Sequence, residues 1–363
     1  MNPLALHETH HAHGATFTEI TGSEAVLHYP DWQAEYLALH QSAAVLDLSF
    51  RSRLCLTGAD RVRFLHGQVT NDVKKLVPGQ GCYAALVTAK GKMQSDLIIY
   101  SLPEELLLDF EPGFSAAVAE RLEHYIIADD VQIADAAAAY GLLSVQGPQA
   151  ATVVHELALF AQIPETRASL ASVNDAELGE LYLTNQPRTG SAGFDLFAPT
   201  AALPALWERL LAAARPVGGR AAGWQALELA RLEAGIPRYG ADMDETNLPL
   251  EAGLENRAVS FAKGCYIGQE VIARIRTYGQ VTKALRGLRL AEDLSTLPAK
   301  GAKLFAAGKE AGYITSAAFS PALRTNVALG YVRKECNQPG TELTWQATHG
   351  ESRATIVALP FAR

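Results

Sequence analysis

The run Phe261-Ala-Lys-Gly-Cys-Tyr-Ile-Gly-Gln-Glu-Val-Ile-Ala-Arg-Ile-Arg276 sets a cysteine between two glycines, Gly264 and Gly268, and follows it with Gln269 and Glu270. Glycine permits backbone angles and close approaches that a Cβ forbids, so the segment reads as a shaped turn that presents a thiol. Lys263, two residues before Cys265, would favour the reactive thiolate if both side chains face one pocket. The plainer reading of a lone cysteine is a small buried hydrophobe. Residues 271–275 are β-branched and apolar enough to enter a buried strand or a short helix.

Three more groups could carry chemistry. Asp96 follows a hairpin signal at Ala89-Lys-Gly-Lys92 and precedes the apolar Leu97-Ile-Ile99, which puts its carboxylate at the edge of a core. Such an aspartate is commonly structural. Arg231 sits on a helical pattern where Glu228 or Glu233 could pair with it, and an exposed pair of that sort adds little. His7, His10, His11 and His13 are grouped near the N-terminus with only Glu8 as acidic companion. No metal site is expected there, because a real site also needs supporting residues around its ligands. The preferred reading is a helical turn over a domain surface.

The elements that must position these groups follow from length and pattern. At 363 residues the chain exceeds what one core usually serves. Hydrophobic content of 48% with 19% charged residues is that of an ordinary globular protein. The net charge of −8 argues against nucleic acid as a partner. No run of 18 apolar residues suggests a membrane span, and no charged start followed by an apolar core suggests a secretory signal. Cys55, Cys82, Cys265 and Cys336 lie far apart without a C-x-x-C pair. No zinc or cluster-ligand spacing is present, and the pattern argues against a disulfide framework and fits a reducing cytoplasm.

Periodicity predicts helices over 31–42, 59–66, 114–125, 148–159, 204–214 and 223–234. Strands are expected over 45–49, 54–58, 81–88, 93–100, 106–110, 131–133 and 141–145, and around Leu181 and Asp195. Residues 51–135 read as a split-βαβ, ferredoxin-like unit. Residues 236–282 read as loop-rich with short extended pieces. After Lys283, six short strands (285–290, 303–305, 310–315, 327–332, 342–347 and 354–359) are divided by Gly, Pro and Asn turns, a closed β-barrel or jelly-roll pattern. The division expected is 1–50 plus 136–282, then 51–135, then 283–363, in an α+β protein.

Lys263-Gly-Cys-Tyr-Ile-Gly-Gln-Glu270 resembles the signature octapeptide of the YgfZ family, folate-binding relatives of the glycine cleavage T-protein implicated in making or repairing iron–sulfur proteins. T-proteins proper usually carry a related Lys-x-x-Phe-x-Gly segment without the cysteine. The wider resemblance to T-proteins, which are aminomethyltransferases, runs through Thr70-Asn-Asp-Val73, Tyr83 and Asp96, and Arg231-Leu-Glu-Ala-Gly235. It continues in Glu251-Ala-Gly-Leu254, Thr315-Ser316, Ser320-Pro321 and Leu359-Pro-Phe361. It implies three domains in a ring around a central hole that admits tetrahydrofolate.

By that resemblance, Asp96 faces the reactive edge of the folate, although only the second of two usual aspartates is kept, in Ser95-Asp96. Tyr83 walls the pterin ring. Asp195, in Arg188-Thr-Gly-Ser-Ala-Gly-Phe-Asp195, takes the place of a glutamate that holds the pterin. Arg231 is a candidate ligand contact, while a second family arginine falls on Leu227. Two functions follow. One is a tetrahydrofolate-binding YgfZ-like protein that assists iron–sulfur assembly or repair, with Cys265 as the functional thiol, Lys263, Gln269 and Glu270 beside it, and iron–sulfur client or assembly proteins as partners. The alternative is a folate-dependent aminomethyl- or methyltransferase of one-carbon metabolism. The expected site joins Cys265 to the cavity that carries Asp96.

Overall fold

The strand Met93–Ser101 shows how the sequence positions the site. Side chains alternate across a strand, so Leu97 and Ile99 enter one face while Asp96, Ile98 and Tyr100 share the other. Its antiparallel partner Leu106–Phe110 pairs Ile98 with Asp109 and Tyr100 with Leu107. On the far side of that partner, Ser52–Thr57 pairs Arg53 with Asp109. One face of the sheet is therefore hydrocarbon: Leu54, Leu56, Leu65, Leu97, Ile99 and Leu108 pack in one cluster. The opposite face carries charge.

The computed structural model describes residues 2–292, 294, 296–348 and 350–361. Two compact units are present: Met1–Leu86 with Ser95–Ala230, and Val87–Gln94 with Arg231–Arg363. Unit one contains a five-stranded sheet in the order Gly81–Val87, Met93–Ser101, Leu106–Phe110, Ser52–Thr57, Gln132–Asp135. With the helices Arg61–Gln68 and Ser115–Glu123 it forms the expected ferredoxin-like arrangement with one added strand. Its second sheet runs Leu170–Asp175, Gly179–Asn185, Gly193–Pro199, Tyr140–Gln146, Ala44–Asp47, Arg220–Ala221. Sequence reading missed Leu170–Asp175 and the strand Ser23–His28, whose hairpin partner is Thr16–Ile20. Helix Leu203–Ala214, entered through Pro204, buries Leu206, Trp207 and Leu210.

Charge is buried between the two sheets of unit one. Arg51 donates from Nε to Asp109 Oδ1 at 2.9 Å and from Nη1 to Glu111 Oε1 at 2.6 Å. Arg188 donates from Nη2 to Asp109 Oδ2 at 3.0 Å and to Asp195 Oδ2 at 2.6 Å. Ser144 Oγ adds a bond to Asp195 Oδ1 at 2.7 Å. Burial alone would push the Asp109 carboxyl up, but Arg51 and Arg188 outweigh it and hold the group below its ordinary range. Two of the N-terminal histidines have internal partners, while His11 and His13 are exposed. His10, fully buried, bridges Asp47 Oδ2 at 3.0 Å and the Tyr29 hydroxyl at 2.9 Å, and His7 pairs with Glu24 at 2.8 Å.

Unit two ends in a closed six-stranded barrel, in the order Lys283–Leu290, Thr325–Arg333, Lys309–Ser320, Lys303–Ala306, Glu342–Ala347, Gly350–Val357. The first and last strands pair antiparallel to close it. Leu288, Leu304, Ile314, Val332, Trp345 and Ile356 fill its core. Residues 231–282, grouped by sequence with the first domain, pack in this unit. The extended pieces expected there are replaced by the helices Glu255–Ala258 and Gln269–Tyr278 and an isolated bridge between Tyr239 and Met243. Val271 and Ile275 stand one helical turn apart beside fully buried Ile272, so a helix gathers the apolar residues on one side. Among the described residues no helix is long and apolar enough to cross a membrane.

Removing one partner of a buried ion pair leaves an uncompensated charge. Arg188→Ala strips Asp195 and half of Asp109 of their cation, and it should lower stability by roughly 3–5 kcal/mol. Urea unfolding at pH 7 reads the loss. A change below about 1 kcal/mol would mean the network contributes no more than a surface pair.

Candidate functional site

Asp96 and Tyr83 lie together in unit one. The Tyr83 hydroxyl donates to Asp96 Oδ2 at 2.7 Å. Tyr83 is itself fixed from behind: Asn71 Nδ2 donates to the Tyr83 carbonyl at 2.8 Å, and Thr70 Oγ1 accepts the Ala85 amide at 2.9 Å. The Thr70-Asn-Asp-Val73 motif thus anchors the strand that holds the tyrosine. The other carboxylate oxygen, Asp96 Oδ1, is buried and has no hydrogen-bond partner.

That arrangement raises the Asp96 pKa to about 6, chiefly through burial and then through the nearby Glu111 charge. The register Ile98–Asp109, carried two residues further, sets Asp96 opposite Glu111. The Tyr83 bond and Arg51 act in the other direction without reversing the shift. A buried oxygen with no hydrogen-bond partner among the described residues, on a carboxyl whose pKa is raised to about 6, is suited to accept an N–H from a ligand or to exchange a proton with it.

The other proposed ligand contacts are occupied. Asp195 is fully buried, and Arg188 grips both of its oxygens, with Nε at 3.2 and 3.1 Å from them. Arg188 therefore satisfies the acid that the resemblance expects to hold the pterin. Gln146 keeps Arg188 in place by accepting its backbone amide at 2.9 Å. Arg231, in unit two, has a partner that the helix pattern did not suggest. Its Nη1 meets buried Asp242, and its Nη2 donates to Ser316 Oγ at 3.1 Å. Asp242 also accepts from Thr315 Oγ1 at 2.6 Å and Ser316 Oγ at 2.7 Å. Arg231, Thr315 and Ser316, three residues of the resemblance, are thus fastened through an aspartate that sequence reading did not single out.

Cys265 is exposed, as are Gly264 and Glu270. Lys263 does not share its setting. Lys263 is buried, with Nζ 4.8 Å from the centroid of the buried Tyr266 ring. A long aliphatic stem and an ammonium over a ring face are both favourable contacts, so the lysine turns inward while the thiol stays out. Gly268, at φ +84°, caps the helix Gln269–Tyr278. A Cβ there would lie 2.5 Å from the Thr88 carbonyl oxygen, so only glycine fits. Gln269 and Glu270 occupy the first helical turn, with Glu270 3.9 Å from Arg274.

Asp109, Glu111, Arg51 and Asp242 escaped the sequence analysis. A signal was present in one case: an aspartate inside Leu106-Leu-Leu-Asp-Phe110 has nowhere to go but a core, and a buried carboxylate demands a cation.

The raised pKa of Asp96 fixes the sign of a pH effect. The folded state binds this proton more tightly than the unfolded chain, so the destabilisation is absent below about pH 4 and complete once pH has risen through 6. Asp96→Asn should match wild type at pH 4 and exceed it by on the order of 2 kcal/mol at pH 7.5. Urea unfolding at both pH values measures this, and a less stable variant at pH 7.5 would mean the carboxylate has a cationic partner.

Residues 6–263 match the GCVT N-terminal domain, and residues 268–362 match the glycine cleavage T-protein C-terminal barrel domain. An aminomethyltransferase of Ralstonia pickettii (strain 12J) is 33% identical over 381 residues, covering 99% of this chain and 96% of its own. One of Saccharopolyspora erythraea is 30% identical, covering 99% and 97%. The crystal structure of glycine cleavage system aminomethyltransferase T from Bartonella henselae aligns with a TM-score of 0.89 at 26% identity, over 99% of this chain and 98% of that one. With both halves of the chain matched in order and nearly end to end, the protein belongs to the glycine cleavage T-protein family.

Proposed function

We propose that the protein binds a reduced folate in unit one and acts as a folate-dependent aminomethyltransferase, the activity named for its relatives. The observation that carries this reading is Asp96: one oxygen held by Tyr83, the other buried with no hydrogen-bond partner among the described residues. Tetrahydrofolate, when bound, supplies the nitrogen that takes up the one-carbon unit. Asp96 Oδ1 accepts an N–H of the ligand, and its pKa of about 6 lets it hold or release a proton near neutral pH. In its charged form the same carboxylate steadies positive charge developing nearby. Tyr83 fixes the carboxylate and offers a ring wall. Asp195 and Arg231 serve as internal fasteners in this reading, not as ligand contacts.

Calorimetry should show tetrahydrofolate binding, and addition of an aminomethyl donor should yield methylene-tetrahydrofolate. Asp96→Asn should cut turnover by roughly 100-fold or more, while Tyr83→Phe, which frees Oδ2, should cut it by about tenfold. Wild-type protein that binds no reduced folate, or Asp96→Asn with full turnover, would refute the assignment.

A second reading rests on the octapeptide Lys263–Glu270 and its exposed thiol. It is a YgfZ-type accessory role toward iron–sulfur proteins, with Cys265 acting transiently, since a stable cluster takes about four ligands. Asp96 belongs to unit one and Cys265 to unit two, so the two readings are separable by mutation. In cells lacking their own copy, Cys265→Ala should depress iron–sulfur enzyme activities while leaving folate binding intact. Full rescue by the variant would remove this reading.

A further inference from the structure

Unit two contains a cavity of about 490 Å³ that neither reading uses, within the range of small-molecule sites. Arg276, Arg286 and Lys334 line it, against a single acid, Glu255. The whole chain carries −8, so three cations around one hollow run against the protein's overall charge. Two of the three are held in place. The Arg276 guanidinium stacks 3.8 Å from the centroid of the Phe261 ring; stacking uses the face of the group and leaves its in-plane N–H donors available. Arg286 donates from Nε to the Asn337 carbonyl and from Nη1 to the Leu285 carbonyl, each at 2.9 Å. Lys334 is exposed at the rim.

Glu255 adds a second requirement. Its Oε2 is buried with no hydrogen-bond partner among the described residues, and a buried carboxylate oxygen without a donor is costly. A cation cluster alone would suit any anion. A cation cluster beside an unfilled acceptor selects an anion that also brings a donor. We propose that this cavity binds a small organic anion, a carboxylate or a phosphate, that carries an N–H group for Glu255. Phe261 and Arg276, which line the cavity, flank the octapeptide at residues 263–270 in the sequence.

Calorimetry on the full-length protein at low salt, with L-glutamate, adenosine monophosphate and inorganic phosphate as probes, tests this. One of the two organic anions should bind saturably and at least about tenfold tighter than inorganic phosphate, and which one it is identifies the acid group. Arg276→Gln and Lys334→Ala, both at exposed positions, should each weaken that binding about tenfold with an unchanged melting temperature. Glu255→Gln should abolish the advantage over phosphate. No binding by any probe, unchanged affinity in the two cation variants, or a retained advantage in Glu255→Gln would each overturn the proposal. All three substitutions lie in unit two and Asp96 in unit one, so failure here leaves the folate reading standing.

Discussion

The carboxylate of Asp109 is the constraint around which unit one is arranged. It sits fully buried in an apolar strand and shares its charge between Arg51 and Arg188. Burying a charge pair gains little net stability compared with packed hydrocarbon. What it gives is geometry, since each guanidinium fork accepts only a narrow set of orientations. Arg188 comes from the loop before Gly193–Pro199 in one sheet, and Asp109 from the other. The register between the two sheets is thereby fixed by directional bonds, where hydrophobic contact alone would leave it adjustable.

The unusual state of Asp96 follows from the same network. Arg51 and Arg188 are bonded to Asp109, Glu111 and Asp195, two cations among three acids. Arg51 is committed to two acids already. Asp96 adds a further carboxylate beside that network, where the Glu111 charge outweighs Arg51 and Tyr83 supplies a neutral donor. A residue kept at the expense of stability in this way is a functional candidate on physical grounds. Asp195 is the converse case. Its neighbour Arg188 satisfies it so completely that the position has become structural.

How much of this could be read from the chain depends on the range of the interactions. The six barrel strands were legible because each is short, apolar in alternation and closed by Gly, Pro or Asn turns, all local signals. The hairpin that carries Asp96 was legible for the same reason. Asp109 and its partners were not, because Arg51 lies 58 residues and Arg188 79 residues away along the chain. Asp242 meets Arg231 across eleven residues of loop, a spacing with no helical meaning, so attention fell on Glu228 and Glu233. Residues 269–278 were ambiguous for another reason. β-branched side chains favour strands slightly, and Gly268, which caps the helix, reads locally as a turn in either case.

The closed barrel has a consequence for how the chain is made. Its opening strand, Lys283–Leu290, pairs over Gly287–Leu290 with Gly350–Val357, the last of the described strands. Until that final segment leaves the ribosome, the nascent barrel is an open sheet with two unpaired edges, each a template for pairing with another chain. Premature termination within the last strand would therefore do more than shorten the protein. It would release a product that carries exposed edges as a standing invitation to aggregate.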